Sequence, residues 1–436
     1  MGTKSLWEKL QTLQCHFNWC FELRDEMNIG HILNMVALKV EHTAYHNRGI
    51  YLAMRAYLQQ LQGNYLEALD SLREAETRLQ QDQPDNFSRQ ALLIYGNYAW
   101  IYYHLVNYQM VELYLGRISE ICRSLSSPEP YSVQIPEIHA QKGWTLLALG
   151  FRKGEEATEC FQTALREDES NPDFQAGLAI SVFASWTHSF KSYLWEKARR
   201  LLEQILCRQP QNYEIKTHLA DLLERKDWWR SMDLTMDVAR NSLNPEDLRN
   251  AAKLCKNNLL PRAISILQRA IALAPGFHLL HYDLGVCYKA QLKGGAPEER
   301  EEILAAAIES FQRAVEANPQ SIFSRLELAQ LYSEKTLLYA EEMYQNLLEE
   351  LPKASKRCQQ AIYLHWGDFL LHRKGLRREA LEMYEAGYLI LSGHCKEWHL
   401  LRQRLMKMAK KFEEDSEMGG VEAVFETLRL RPEFQK

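Results

Sequence analysis

Ala307-Ile308-Glu309-Ser310-Phe311-Gln312-Arg313-Ala314-Val315-Glu316-Ala317-Asn318-Pro319 is the stretch from which the fold can be read. A small residue is followed four positions later by a bulky one, seven later by another small one and twelve later by Pro. That spacing puts Ala307, Phe311 and Ala314 on one helical face, and the Pro stops the helix after its last turn. The same pattern recurs as Ala198, Leu202, Ile205 and Pro210; as Ala263, Leu267, Ala270 and Pro275; and as Ala340, Tyr344, Leu347 and Pro352. Partial versions run through Gly63, Tyr65, Ala68, Leu72 and Ala75, through Ala157, Phe161 and Ala164, and through Ala380, Tyr384 and Gly387. Leading helices show as Leu284-Gly285-Val286-Cys287-Tyr288 and Leu328-Ala329-Gln330-Leu331-Tyr332.

Four complete copies of one pattern mark the trailing helix of tetratricopeptide repeats. The small residue lets two antiparallel helices approach closely, and each pair leaves an apolar face that only the next pair covers. The expected fold is therefore all-α, a superhelical tetratricopeptide-repeat solenoid with irregular spacing. From Ala157 to Ala380 the small-residue anchors stand 41, 65, 44, 33 and 40 residues apart. The widest gap predicts a degenerate repeat around Trp228 to Ala239, and the 44-residue step holds a polar loop from Lys293 to Arg300. The expected organisation is one array over 1–436, with N-terminal repeats over 13–250, C-terminal repeats over 251–412 and a shortened tail over 413–436. Irregular stacking suits an array that closes around a ligand, and the short tail argues against self-association through a terminal repeat.

Composition bounds the function classes. An apolar content of 46% with Tyr 21, Phe 15, Trp 10 and only 13 Pro fits packed helices and argues against disorder. The formal charge of −5 gives no global nucleic-acid signal, yet residues 353–411 hold thirteen Lys and Arg against five Asp and Glu. Nine scattered cysteines, the absence of a secretory leader and the absence of a membrane-length apolar run point to free thiols in a reducing cytosol. Met1-Gly2-Thr3-Lys4-Ser5-Leu6 lacks the hydroxyl residue that a myristoylation start needs at its sixth position.

Catalytic motifs are absent: there is no phosphate-binding Gly loop, no nucleophile elbow and no metalloprotease His pair. Cys15-His16-Phe17-Asn18-Trp19-Cys20 has no second half that would complete a zinc site. The expectation is a non-enzymatic binding scaffold without metal or cofactor. Two binding modes fit. An inner wall of Lys, Arg and aromatic faces suits RNA, whereas peptides or partner helices are the commoner ligands of this repeat.

Leu13-Gln14-Cys15-His16-Phe17-Asn18-Trp19 resembles the opening of the interferon-induced proteins with tetratricopeptide repeats. Tyr95 to His104, Lys142-Gly143-Trp144, Ala176 to Ser181 and the run from Leu280 to Gln291 are similar to that family in the same order. The resemblance covers residues 13 to about 412. It implies a cytosolic antiviral effector of innate immunity, induced by interferon. Its inner channel would hold single-stranded viral RNA by a non-self 5′ end. The alternative that the resemblance leaves is an adaptor for related family members or signalling proteins. Neither reading involves DNA or a membrane.

Residue by residue, the resemblance implies that Trp144 stacks on the RNA 5′ end, although a core tryptophan of the helix pair is its other reading. It places Arg249 and Lys253 at phosphate-facing positions and Tyr282 among the RNA contacts. Arg402, Arg404, Lys407, Lys410 and Lys411 resemble the basic helix beside the channel. Six positions depart from the RNA-binding members. Ala148 stands for a phosphate-binding Lys, Gly154 for a Tyr, Ala184 for an Arg, Glu246 and Asn250 for two Tyr, and Asp283 for a Gln. Fewer cations and new carboxylates are expected to weaken a 5′-triphosphate site.

Overall fold

The computed structural model describes residues 3–21, 29–43, 47–294, 297–391, 395–415 and 418–429. The Met1-Gly2 start, residues 295–296 of the polar insertion and residues 430–436 of the tail lie outside the described residues. Every regular element among the described residues is a helix. The chain divides into two compact units, Met1–Leu259 and Leu260–Lys436.

In unit 1 a short helix α1 (Thr3–Leu10) and α2 (Ile29–His42) precede the repeats. Paired helices follow: α3 (Arg48–Leu61) with α4 (Tyr65–Asp82), α5 (Phe87–His104) with α6 (Tyr108–Ser124), and α7 (Pro136–Leu149) with α8 (Gly154–Glu167). Next come α9 (Pro172–Ser189) with α10 (Ser192–Arg208), α11 (Tyr213–Leu223) with α12 (Trp228–Asn241), and α13 (Pro245–Cys255). Unit 2 opens on α14 (Leu260–Leu273) and continues with α15 (His278–Gln291), α16 (Arg300–Ala317), α17 (Ile322–Tyr332) and α18 (Leu337–Glu349). It ends with α19 (Lys356–Phe369), α20 (Arg377–Leu389), α21 (Lys396–Glu414) and α22 (Met418–Arg429).

The repeat pattern maps onto packing. In α8, α10, α14, α16, α18 and α20 the small anchor, Ala157, Ala198, Ala263, Ala307, Ala340 or Ala380, is fully buried. The bulky residue four positions later is buried beside it in every case. Pro210, Pro275 and Pro319 each fall two residues beyond the end of their helix, where the chain must turn.

The gap between Ala198 and Ala263 does hold a repeat helix, α12. Its anchors are Ser231, Thr235 and Val238, all buried, at the four- and seven-residue spacing. The Ser231 hydroxyl donates to the Ala220 carbonyl at 2.7 Å, and the Thr235 hydroxyl to the Ser231 carbonyl at 2.7 Å. With their hydroxyls satisfied by backbone, Ser and Thr serve as small residues at a helix crossing.

In several repeats the trailing-helix aromatic rests on a glycine. The Phe161 ring lies against Gly143 of α7, 2.7 Å from where a Cβ would stand, and against Gly177 of α9. Phe311 meets Gly285 at 2.8 Å, and Tyr384 meets Gly367 at 2.5 Å, measured in the same way. A methyl group at any of these glycines would collide with an aromatic ring.

Gly177→Ala is expected to lower the urea midpoint by an amount equivalent to about 1–3 kcal/mol, the usual range for overpacking. In a Phe161→Leu background the same change should cost less than half as much, because the ring it strikes is gone. Circular-dichroism melts of the four chains measure this, and equal costs in both backgrounds would remove the ring contact as the cause.

Candidate nucleic-acid interface

In unit 1 the leading helices touch in sequence, α3 to α5, α5 to α7, α7 to α9, α9 to α11 and α11 to α13. Side chains of α7, α9, α11 and α13, together with Lys39 of α2, come close to one another on this shared side. Trp144 of α7 is one of them, and it is only 5% exposed. Its indole N–H donates to Asp173 of α9 at 3.1 Å, and its ring stands edge-on to Phe161 at 5.1 Å. These two contacts hold the indole in one orientation.

Beyond Asp173 stands Glu214 of α11, within electrostatic range of Asp173, of Asp247 on α13 and of Lys39 on α2. Lys39 in turn faces Glu214 and Glu246 while its ammonium lies 5.0 Å from the Tyr51 ring centre. Thus α2 reaches across to α11 and α13, although more than 150 residues of chain separate them. Lys39, Glu214 and His218 keep some accessible surface while being deeply enclosed, as residues bordering an internal hollow do.

Burial governs the charges here. It pushes the Glu214 carboxyl up to about 8, helped by Asp247 and Asp173 and opposed by Lys39. Burial and nearby Lys39 bring His218 down to about 4. Burial alone would lower Lys39, but Tyr51, Glu214 and Glu246 outweigh it and raise the ammonium. At neutral pH Glu214 and His218 are therefore uncharged. Of the charged carboxylates, Asp173 accepts from Trp144, Asp247 from the Ser242 hydroxyl at 3.0 Å, and Glu246 from Arg249 at 3.4 Å.

Arg249 and Lys253 lie one helical turn apart on α13, at the edge of this carboxylate row. Each is engaged by a residue at which the sequence departs from the RNA-binding pattern. Arg249 donates to Glu246, and Lys253 donates to Asn250 at 3.3 Å. The departures at Gly154 and Ala184 are a single packing event. A Cβ on Gly154 would stand 2.6 Å from the Ser185 nitrogen and 3.0 Å from the Ala184 carbonyl carbon. Helices α8 and α9 touch backbone to backbone there, which leaves no space for Tyr or Arg. Ala148 is half-buried on α7.

The other sequence-singled residues belong to unit 2. Tyr282 packs edge-on against Phe311 at 5.6 Å, and burial holds its hydroxyl well above the usual phenol range. Asp283 is half-buried on the same helix. On α21 the basic residues divide. Arg404 is committed to a bidentate pair with Asp368 at 2.6 and 2.9 Å, an acceptor that it shares with the Tyr384 hydroxyl. Burial would raise the Asp368 carboxyl, but Arg404 and Tyr384 bring it below the ordinary range. Arg402, Lys407, Lys410 and Lys411 lie on exposed positions, with Lys410 4.0 Å from Glu414. Lys39 and the carboxylates Asp173, Glu214 and Asp247 were not singled out from sequence. A lone Lys before the first repeat carries no pattern that would assign it to a hollow built by α11 and α13.

Among the described residues there is no group of three or more His, Cys, Asp and Glu able to hold a metal ion. No helix among them is long and apolar enough to cross a membrane. No protein-family model matches the chain. Curated proteins do. The antiviral innate immune response effector IFIT1 of Homo sapiens is 31% identical over 386 residues, covering 83% of this chain and 79% of that protein. Interferon-induced protein with tetratricopeptide repeats 2 of Homo sapiens is 29% identical over 93% of this chain and 88% of its own length. Among solved structures, the human IFIT1 dimer with m7Gppp-AAAA superposes with a TM-score of 0.69 at 28% identity, covering 99% of this chain and 96% of that one. The dimer with PPP-AAAA gives a TM-score of 0.66 at 27% identity over 98% and 99%. A relative above 30% identity across most of both chains, together with this superposition, places the chain in the family of interferon-induced proteins with tetratricopeptide repeats.

Proposed function

We propose that this chain is an antiviral innate-immune effector of the cytosol that takes the 5′ end of single-stranded RNA into the hollow of unit 1. The observation that carries this reading is the near-full-length match in sequence and fold to IFIT1 chains solved with m7Gppp-AAAA and PPP-AAAA. Trp144 is the stacking contact proposed for the base; its N–H bond to Asp173 fixes its orientation, and an incoming base must uncover more of the ring than the 5% now exposed. Lys39, Arg249 and Lys253 face the phosphates, and Tyr282, Arg402, Lys407 and Lys410 are contacts proposed for unit 2. Arg404, held by Asp368, is the least available cation of that helix. No step in this function is catalytic.

The charge balance sets the strength. Asp173, Glu246 and Asp247 offset the cations of the hollow, so a bare triphosphate gains less here than in a hollow with surplus positive charge. That same row of carboxylates favours a second reading, an adaptor for related family members or signalling proteins. The two readings separate in one titration of 5′-triphosphate, capped and 5′-hydroxyl RNAs. Trp144→Ala is expected to weaken the preferred 5′ end about tenfold, the scale of one lost base stack. Trp144→Phe, which keeps a ring but loses the Asp173 bond, should fall between. Equal weak affinity for all three RNAs, unmoved by Trp144→Ala, leaves the adaptor.

A pH prediction follows from Glu214. Its folded pKa, about 8, stands above the ordinary carboxyl value, so the neutral acid predominates at pH 7 and a new negative charge develops as pH rises through 8. RNA affinity is expected to fall between about pH 6.5 and about pH 9, and Glu214→Gln should flatten that fall. Filter binding at matched ionic strength measures it. An identical pH profile for the variant would exclude Glu214 from the site.

A further inference from the structure

In unit 1 the turns from leading to trailing helix lie side by side along one edge, because α7, α9 and α11 are neighbours whose trailing partners each return antiparallel. Direct contacts join these turns. Phe151, in the turn after α7, stacks edge-on with Phe183 at 6.0 Å; Phe183 meets Trp186, and Trp186 meets Phe190 in the turn after α9 at 5.9 Å. From there Trp195 donates to the Leu222 carbonyl at 3.0 Å, and Lys226, in the turn after α11, lies 3.6 Å over the Trp195 ring centre. Trp229 follows, edge-on to Trp228 at 4.8 Å. The three turns form one continuous strip, with neighbouring leading helices about 10 Å apart.

What the strip exposes is unusual for a protein surface. Phe190 is 67% exposed and Trp229 77%, with Phe151 and Tyr193 beside them also exposed. Phe190 holds its ring outward from a left-handed backbone, φ +52°, a conformation that bulky residues rarely adopt. Exposed Arg152, Lys191 and Arg225 alternate with the rings, one to each turn. Arg152 and Lys191 have no ion-pair partner among the described residues, and Arg225 has Asp221 in range. The other cations are occupied: Lys153 by Glu156 at 2.6 Å and Arg230 by Glu203 at 2.8 Å. Glu224 and Asp227 also lie on the third turn, and Asp227 spends its carboxylate capping the Arg230 amide. At the opposite edge, the turn after α8 carries Glu167, Asp168 and Glu169 and no aromatic ring.

We infer that this edge is a second binding surface, a track for the body of a single-stranded RNA, with bases on Phe190, Trp229 and their neighbours and phosphates on Arg152, Lys191 and Arg225. Outward aromatic faces interleaved with cations, of which Arg152 and Lys191 have no ion-pair partner among the described residues, suit a flexible polyanion whose bases are free to stack. A folded protein partner would call for a contiguous apolar patch with few charges in its centre. The inference rests on the reading of the chain as an RNA-binding effector, but it needs no 5′-end recognition and uses none of the residues of the hollow.

Two probes separate the surfaces: a 5′-triphosphate RNA of four nucleotides, and a 5′-hydroxyl single strand of about twenty nucleotides, long enough to stack along several turns. Combining Arg152→Glu, Lys191→Glu and Arg225→Glu should weaken the long RNA at least about tenfold and make its log–log salt dependence shallower by about 2, as three lost phosphate contacts require. Combining Phe190→Ser with Trp229→Ser should weaken the long RNA about tenfold at unchanged salt slope. Both sets change exposed side chains, and neither should alter binding of the short RNA. If Trp144→Ala leaves the short RNA unaffected while the edge variants still impair the long one, the hollow fails and the track stands. The track is overturned if the long RNA is indifferent to both sets, or if both RNAs weaken equally. Indifference of the long RNA would leave the edge to a protein partner.

Discussion

The packing of a trailing-helix aromatic against a glycine of a leading helix is the contact on which the architecture depends. Phe161 lies against both Gly143 and Gly177, and so clamps two successive leading helices with one ring. Ala157, three residues before Cys160, lets the same helix approach without a spacer. Close approach at the trailing helix turns the leading helices inward, where their remaining faces meet one another from α3 to α13. The hollow is thus a by-product of core packing. Any residue that held the helix pairs apart would open the wall and loosen Trp144, whose neighbour in that wall is Phe161 itself.

A second constraint sets the rotation of α7. Asn97 on α5 donates to His16 Nδ1 at 2.8 Å and to the Ala53 carbonyl of α3 at 3.0 Å. With Nδ1 accepting, His16 Nε2 donates to Thr145 at 3.1 Å, and Thr145 donates to the Gln141 carbonyl at 2.8 Å. Every donor has an acceptor, so burial is tolerated, and it brings the imidazole down to about 3, neutral at physiological pH. The Cys15-His16 element thereby pins α3, α5 and α7 together. Thr145 is the residue after Trp144, so this network also fixes the direction in which the indole points.

The fold was legible because its determinants repeat. Ala307, Phe311, Ala314 and Pro319 carry volume, periodicity and a stop signal in thirteen residues, and every complete copy became a buried helix face. Where the pattern faded, the physical role persisted in other residues. Ser231 and Thr235 fill the small positions with hydroxyls satisfied by backbone, and Val111, Leu115 and Ile118 of α6 keep the four- and seven-residue spacing without an alanine. The site was less legible. Residue type suggested that Arg249 and Lys253 were available cations, but availability depends on neighbours. Glu246 and Asn250, read from sequence as lost tyrosines and, for Glu246, as a new carboxylate beside phosphate, turn out to be their partners. Lys39 escaped notice because it reaches the hollow only through the curl of the whole unit.

Net charge is a poor guide to such a molecule because its charges are spent unevenly. At the hollow most are committed inward: Arg249 to Glu246, Asp173 to the indole, Asp247 to Ser242, and Glu214 to its own proton. Such a surface discriminates by shape and by the placement of a few groups, since a ligand entering it must exchange existing partners rather than neutralise idle ones. The turn edge has the opposite character. Arg152 and Lys191 stand in solvent without an ion-pair partner among the described residues, next to rings that gain nothing from water. Long-range attraction and counterion release depend on such unneutralised charges, whereas selectivity depends on committed ones. The formal charge of −5 is a sum over two such different surfaces and describes neither of them.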